Sequence, residues 1–171
     1  MIETVSREDS KALIEEIIEL GAGDGIKKCF TCGQCVSLCP PRAVDHNYNF
    51  TKFIRNIKHG LRERLLDDPS PWLCTSCNRC TEFCPKQATP FLTIVAIRRL
   101  QSSELAFPMS SLEGVMNLLR SGHGVISEHG KELRKKVGLP ENPPSAIGDP
   151  KALEEINTIL SHTKLVDMGV L

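Results

Sequence analysis

Apolar residues recur at helical spacing in separated blocks along this chain. Between Ser6 and Leu20 they fall at Leu13, Ile14, Ile17, Ile18 and Leu20. Ser6 and Asp9 stand as a capping box before this stripe, and Gly21 stops it, so the segment predicts a helix. The stretch from Ala22 to Gly25 reads as a flexible connection. A second block, Thr51 to Leu66, carries Phe53, Ile54, Ile57, Leu61 and Leu65 on one face, and the stretch Asp67 to Pro71 breaks it. A third opens at Thr89 and Pro90, an N-cap followed by proline at the first helical position. It runs to about Leu105 with Leu92, Val95, Ile97 and Leu100 on its stripe.

The last third predicts shorter helices. Ser110 to Glu113 opens one that carries Val115, Met116, Leu118 and Leu119 and closes at Gly122. Another begins at Ser127, passes through the basic stretch Lys131 to Lys136 and stops between Gly138 and Pro140. Residues 141–148 form a proline-rich, extended linker, and Asp149 with Pro150 caps a final helix bearing Leu153, Ile156, Ile159 and Leu160. Such short helices have little core of their own, so they pack on the preceding module or meet another subunit. No block alternates with the period of a strand, and the chain reads as mainly α.

Composition narrows the class. The chain has 171 residues, 40% hydrophobic and 25% charged, which fits a globular protein with an aliphatic core, since aromatic residues make up only 5%. Its formal charge is zero and neither half carries a basic stripe, which argues against a nucleic-acid partner. No run approaches the roughly 18 apolar residues of a membrane span. The N-terminus has no basic segment followed by an apolar one, so a cytoplasmic, reducing location is expected. The five histidines, His46, His59, His123, His129 and His162, are scattered without ligand spacing.

All eight cysteines lie in two runs of one pattern, C-x2-C-x2-C-x3-C-P: Cys29, Cys32, Cys35, Cys39 with Pro40, and Cys74, Cys77, Cys80, Cys84 with Pro85. Each member of the second run follows its counterpart by 45 residues, and an amphipathic helix follows each run. This is the spacing of [4Fe–4S] ligation in bacterial two-cluster proteins, where three close cysteines wrap one cubane and the fourth reaches the other. Structural zinc favours separated pairs with a longer spacer, which the triplet followed by CP does not resemble. With no cysteine left over, a thiol nucleophile is not expected either. The assignment is therefore Cys29, Cys32, Cys35 and Cys84 on one cluster, and Cys74, Cys77, Cys80 and Cys39 on the other. Ligation of this kind is coupled to folding.

Residues near the ligands modulate such a pair. Each oxidised cluster with four thiolates carries roughly −2, so Lys27, Lys28, Arg42, Arg79 and Lys86 are candidates to offset it. Gly33, Ser37, Thr75, Ser76 and Asn78 are candidates for hydrogen bonds to sulfur, and Phe30, Val36, Leu38, Trp72, Leu73 and Phe83 for excluding water. The expected organisation is an N-terminal helix over 1–21, a helical di-cluster ferredoxin domain over 22–106 and a helical docking extension over 107–171. No dinucleotide or P-loop glycine fingerprint appears, so the expected role is an electron relay rather than substrate chemistry.

The resemblance becomes specific in the second run and the tail. The stretch from Trp72 through Cys77, the pair Arg98 and Arg99, the segment Ser121 to Val125, then Lys131 to Pro140 and Pro143 with Pro144 resemble the C subunit of soluble CoB–CoM heterodisulfide reductase. The resemblance covers roughly Leu20 to Leu160. It implies a helical two-cluster subunit that passes electrons from a flavin-bearing A subunit to a B subunit. That B subunit has CCG motifs and reduces the heterodisulfide in methanogenesis. It further implies a hydrogenase- or formate-dehydrogenase-linked complex capable of electron bifurcation. After the first CP the family has a Ser-Gly-Arg-like stretch, where this chain has Pro41 to Asp45. Paralogues with other disulfide or sulfur substrates share the pattern. A quinone-linked dehydrogenase subunit and a free-standing ferredoxin are the alternatives. The missing CCG repeats weigh against the first, and the apolar C-terminal helices against the second.

Overall fold

Helix α1 (Arg7–Ile17) starts where Ser6 and Asp9 exchange hydrogen bonds: Ser6 Oγ accepts from the Asp9 N–H at 3.1 Å, and Asp9 Oδ2 accepts from the Ser6 N–H at 2.8 Å. The computed structural model describes residues 6–125, 127–163 and 166. The ends of the expected N-terminal segment and C-terminal extension, and Ile126, lie outside the described residues. The chain divides into two compact units, Met1–Phe107 and Pro108–Leu171. Among the described residues there is no β-strand, as the mainly helical expectation required.

In the first unit, Leu13 and Ile17 of α1 are buried, and Ile14, Ile18 and Leu20 pack against the same core. The helix does not end cleanly before Gly21. A wider turn, Ile18–Ala22, carries the chain on, with Gly21 at a φ of 103°. Arg99 Nη1 donates to the Leu20 carbonyl at 2.7 Å. A Cβ at Gly21 would lie 2.5 Å from that guanidinium nitrogen, so glycine meets both the backbone and the contact there. The stretch expected to be a flexible connection is instead part of the core. Ala22 and Ile26 are almost wholly buried, and Asp24–Lys28 forms a 3-10 turn.

The single helix expected from Thr51 to Leu66 is two: α4 (Phe50–Lys58) and α5 (Arg62–Leu66). Gly60, at a φ of 67°, bends the chain between them. The bend costs the apolar stripe little, because Phe53, Ile54, Ile57 and Leu65 all remain fully buried. Helix α7 (Pro90–Ser103) buries Ile94, Ile97 and Leu100 as well as the polar Thr93 and Gln101, whereas Leu92 is exposed. The buried face is thus turned from the predicted one. Helix α7 packs on the turn after α1, on α1 and on α5, while α4 packs on α1 and α5. Each fully buried Ile or Phe contributes roughly 1.5–3 kcal/mol. Arg62 adds a clip, its Nη2 pairing with Glu16 at 3.0 Å and Glu104 at 2.7 Å.

The second unit contains α8 (Met109–Ser121), α9 (Glu128–Lys136) and α10 (Pro150–Ser161). Helix α8 opens after Pro108 without a serine cap and ends at Gly122, whose φ is 65°. Ser127 Oγ caps α9 by accepting from the Gly130 N–H, and Asp149 caps α10 through the N–H groups of Lys151 and Ala152. The linker over 141–148 is not wholly extended, since Ala146–Gly148 makes a 3-10 turn. Ala146 and Ile156 crowd Gly122, where a Cβ would lie 2.5 Å from Ala146 Cβ.

Candidate iron–sulfur centres

The 45-residue repeat is a repeat of backbone conformation. A 3-10 turn precedes each run, Asp24–Lys28 and then Ser70–Leu73. Cys29 and Cys74 follow in extended geometry, with φ and ψ of −67° and 124°, and −61° and 123°. Thr31 and Ser76 then take left-handed φ values of 59° and 57°, and Gly33 and Asn78 take 85° and 58°. Short helices α2 (Gln34–Ser37) and α6 (Arg79–Glu82) close each loop and pack against one another. Three non-glycine residues held at positive φ cost of order 1–3 kcal/mol each, and such strain is retained at functional sites.

None of the eight cysteines is in a disulfide. Cys29, Cys32 and Cys35 line one apolar hollow together with Cys84 from the other run, and with Phe30, Pro85 and Ala88. The Cys39 thiol lies near those of Cys74 and Cys77, and the Cys80 thiol near those of Cys74 and Cys39. Cys35 also feels Cys80, so the third cysteines of the two runs face each other across α2 and α6. Cys32 and Cys77 are exposed. Among the described residues, no three His, Cys, Asp or Glu side chains converge tightly enough for a single metal ion.

Comparison with known proteins agrees with this geometry. A family model for a 4Fe-4S dicluster domain matches residues 25–88. A protein of Archaeoglobus profundus named as like the C subunit of heterodisulfide reductase is 45% identical over 170 residues, which span 99% of this chain and 89% of the relative. The C subunit of the H(2):CoB-CoM heterodisulfide,ferredoxin reductase of Methanothermobacter thermautotrophicus is 35% identical over 150 residues, 86% of this chain and 80% of the relative. This chain belongs to the heterodisulfide reductase C-subunit family. A third relative, the C subunit of the ferredoxin/F(420)H(2)-dependent CoB-CoM heterodisulfide reductase of Methanosarcina acetivorans, is 32% identical over 158 residues, 90% of this chain and 96% of its own. As a member of the C-subunit family, the chain is an iron–sulfur electron-transfer subunit with two [4Fe–4S] clusters, and it works within a complex. Among the described residues, no helix is long and apolar enough to cross a membrane.

The donor set of this heterodisulfide-reductase C-type protein fits two anionic clusters. Burial, followed by the neighbouring thiols Cys29, Cys80 and Cys32, pushes Cys35 up to about 12, and burial with Cys74 pushes Cys80 up to about 11. Without metal these thiols keep their protons, and ligation displaces them. Arg42 Nη1 is buried without a hydrogen-bond partner, three residues after Cys39. Cys84 Sγ accepts the N–H of Ala88 at 3.2 Å.

Two ties hold the first cysteine of each run. Lys58 Nζ donates to the Cys29 carbonyl, and its own carbonyl accepts from Ser10 Oγ at 2.6 Å. Arg98 donates through Nη2 to the Cys74 carbonyl at 2.7 Å and through Nε to that of Pro71 at 3.0 Å. Neither basic residue is near its cysteine in sequence. The signals available for them were their place on the apolar helices after each run and, for Arg98, its membership of the Arg98–Arg99 pair. Of the cations that sequence proximity suggested, Lys27 is engaged by Glu15 at 2.9 Å and Asp24 at 3.3 Å, and Lys86 sits over the Phe30 ring. Ser37 Oγ donates to the Gln34 carbonyl and Asn78 Nδ2 to Glu82, so neither hydrogen bond goes to sulfur. Phe30, Leu73 and Phe83, expected to exclude water, are exposed at 57%, 42% and 55%.

Proposed function

We propose that this chain relays single electrons through two clusters with crossed ligation: Cys29, Cys32, Cys35 and Cys84 hold one, and Cys74, Cys77, Cys80 and Cys39 the other. The observation that carries this reading is the hollow in which Cys84 joins the three cysteines of the first run. When bound, each cluster takes up one electron and releases it. Helices α2 and α6 set Cys35 against Cys80 between the sites, and the Lys58 and Arg98 ties fix where each loop begins. The exposed Cys32 and Cys77 give each site an outward side at which a partner exchanges electrons.

The partners in this reading are those that the family resemblance implies. In this reading, a flavin-bearing A-type subunit supplies electrons, and a B-type subunit with CCG motifs spends them on a heterodisulfide such as CoM-S-S-CoB. The work takes place in the cytoplasm, inside a larger hydrogenase- or formate-dehydrogenase-linked assembly that supports electron bifurcation. Residues 22–106 act as the di-cluster domain, with 1–21 as its N-terminal helix and 107–171 as the docking extension. Purification under anoxic conditions tests this. The chain should bring down a CCG protein and a flavoprotein, and the isolated protein should show two interacting centres by EPR on reduction. A monomer that exchanges electrons alone, or zinc in place of iron, refutes the reading.

A further inference from the structure

We propose that Lys58 and Arg98 are the fixed counter-charges of the two clusters, one positive charge bonded to the first ligand of each, and that they raise both reduction potentials. The inference rests on the ligand sets proposed above. Lys58 ends α4 half-buried, and its Nζ donates to the Cys29 carbonyl. Arg98 lies half-buried in α7 and donates through Nη2 to the Cys74 carbonyl at 2.7 Å. Among the described residues, neither cation has a carboxylate partner. Other cations of the first unit do: Lys27 pairs with Glu15 and Asp24, Lys52 with Asp68, and Arg62 with Glu16 and Glu104. The charges of Lys58 and Arg98 thus stay uncancelled beside two ligands.

The repeat supports the assignment. The position 45 residues beyond Lys58 is Ser103, and the position 45 residues before Arg98 is Phe53, so the two cations do not occupy equivalent places. They nevertheless converge on equivalent atoms, the carbonyls of Cys29 and Cys74. A tie alone needs no charge. Elsewhere in the core a neutral group serves: Gln101 Nε2 holds the Leu65 and Asp68 carbonyls, and Thr89 Oγ1 holds that of Ala22. Arg99 and Arg134 also bond carbonyls, those of Leu20 and Pro140, but on the exposed surface. Of the other cations near the ligands, Lys86 is exposed over the Phe30 ring, where water screens it. Arg42 on α3 (Pro40–Val44) has a buried Nη1 that makes no hydrogen bond, so nothing fixes its charge against a ligand. A cluster goes from roughly −2 to −3 on taking one electron, so a fixed cation beside it stabilises the reduced form more than the oxidised one. No bond is made or broken in that step. With one such charge at each site the two potentials rise together, which suits a relay that passes its electron on.

Redox titration of the anoxically purified full chain, followed by EPR, gives a potential for each centre. Lys58→Gln keeps an N–H donor for the carbonyl and removes the charge. It should make reduction of one centre about tenfold less favourable, a fall of about 59 mV for one electron, and leave the other unmoved. Arg98→Gln should do the same to the other centre. Lys58→Arg and Arg98→Lys keep the charge and should hold the parental potentials, even where Arg98→Lys costs stability. Parental potentials in either glutamine variant, with both clusters assembled, overturn the proposal. So do charge-keeping variants that fall as far as the neutral ones, or glutamine variants that both move the same centre. If a glutamine variant fails to assemble, Nε-acetyllysine at position 58 decides alone: a lowered potential supports the proposal and a parental one overturns it. That side chain keeps the stem and one N–H donor without the charge, and Lys58 borders an open surface groove with Arg7 and Ser10. Failure of the underlying reading looks different. Iron and sulfide would then fall short of two four-iron clusters in the unaltered protein, or Cys84→Ser would disturb the centre that Arg98→Gln moves.

Discussion

Arg98 reaches back along the chain to hold Cys74, its Nη2 donating to the cysteine carbonyl at 2.7 Å while its guanidinium lies over the Trp72 ring, 5.4 Å from the centroid. A planar fork suits this task, since it satisfies the Pro71 and Cys74 carbonyls together and still stacks on an indole. Arg98→Ala strands both carbonyls. The expected loss is about 1.5–3 kcal/mol for charge-assisted bonds of this kind. Arg98→Lys should recover only part of it. Thermal denaturation of the holoprotein measures the loss. EPR should show the damage in the cluster nearest Cys74 before the other.

Gln101 joins three elements from inside the core. Its Oε1 accepts from Trp72 Nε1 at 2.8 Å, and its Nε2 donates to the carbonyls of Leu65 at 2.7 Å and Asp68 at 2.6 Å. Gln101→Leu keeps the volume and strands three polar groups, which should cost on the order of 2–4 kcal/mol. Urea titration followed by the fluorescence of the single tryptophan measures this directly. An unchanged midpoint would show that the network contributes nothing.

Asp68 makes stability depend on acid. Burial pulls its carboxyl upward, but hydrogen bonds from Lys52 at 2.8 Å and from the Ser70 hydroxyl and N–H outweigh that, leaving it below the usual 3.8. A lowered carboxyl stabilises the fold above its unfolded value, and the contribution fades as pH falls through the folded value. Lys52 is half exposed, so solvent screening discounts the ion pair, and the serine bonds supply the rest of the lowering. Asp68→Asn should be less stable at pH 7 by roughly 1 kcal/mol. The gap to the parent should close below pH 3.8, as compared melting curves across that range will show.

Gly25 marks where the approach to the first run meets the exit from the second. A Cβ there would lie 2.8 Å from the Gln87 carbonyl oxygen, 2.9 Å from Thr89 Oγ1 and 3.1 Å from the Ala88 carbonyl carbon. Two of these are backbone atoms, which yield only by moving the segment that follows Cys84. Gly25→Ala should therefore cost about 1–3 kcal/mol, the range for overpacking. It should also reduce the iron retained beside Cys29 more than that beside Cys74. Iron content after dilution under anoxic conditions checks this.

Local signals were legible in the sequence where one element decides them. The Ser6 and Asp9 capping box, the Ser127 and Asp149 caps and the period of the two runs all depend on neighbours within a few residues. The break at Gly60 was hidden because the apolar stripe continues through it. The outward turn of Leu92 and the burial of Thr93 and Gln101 were hidden because hydrophobicity alone does not say which polar group finds partners inside. Lys58 and Arg98 bond carbonyls 29 and 24 residues away, and no spacing rule encodes such a reach. Thr89 sits at its predicted cap position, yet its hydroxyl donates to the Ala22 carbonyl at 3.0 Å instead of capping α7. The polar residues between ligands were judged by type, but backbone twist turned Ser37 and Asn78 toward partners within their own short helices.

The hollow that gathers Cys29, Cys32, Cys35 and Cys84 also fixes an order of events during synthesis. A nascent chain that has emerged only as far as α5 offers three of those thiols and none of the second run. With the ligand sets proposed above, its first site cannot close until Cys84 has emerged, by which time the thiols of the second site are also in place. Both sites then become fillable at almost the same moment, so the two clusters are delivered as a pair rather than one after the other.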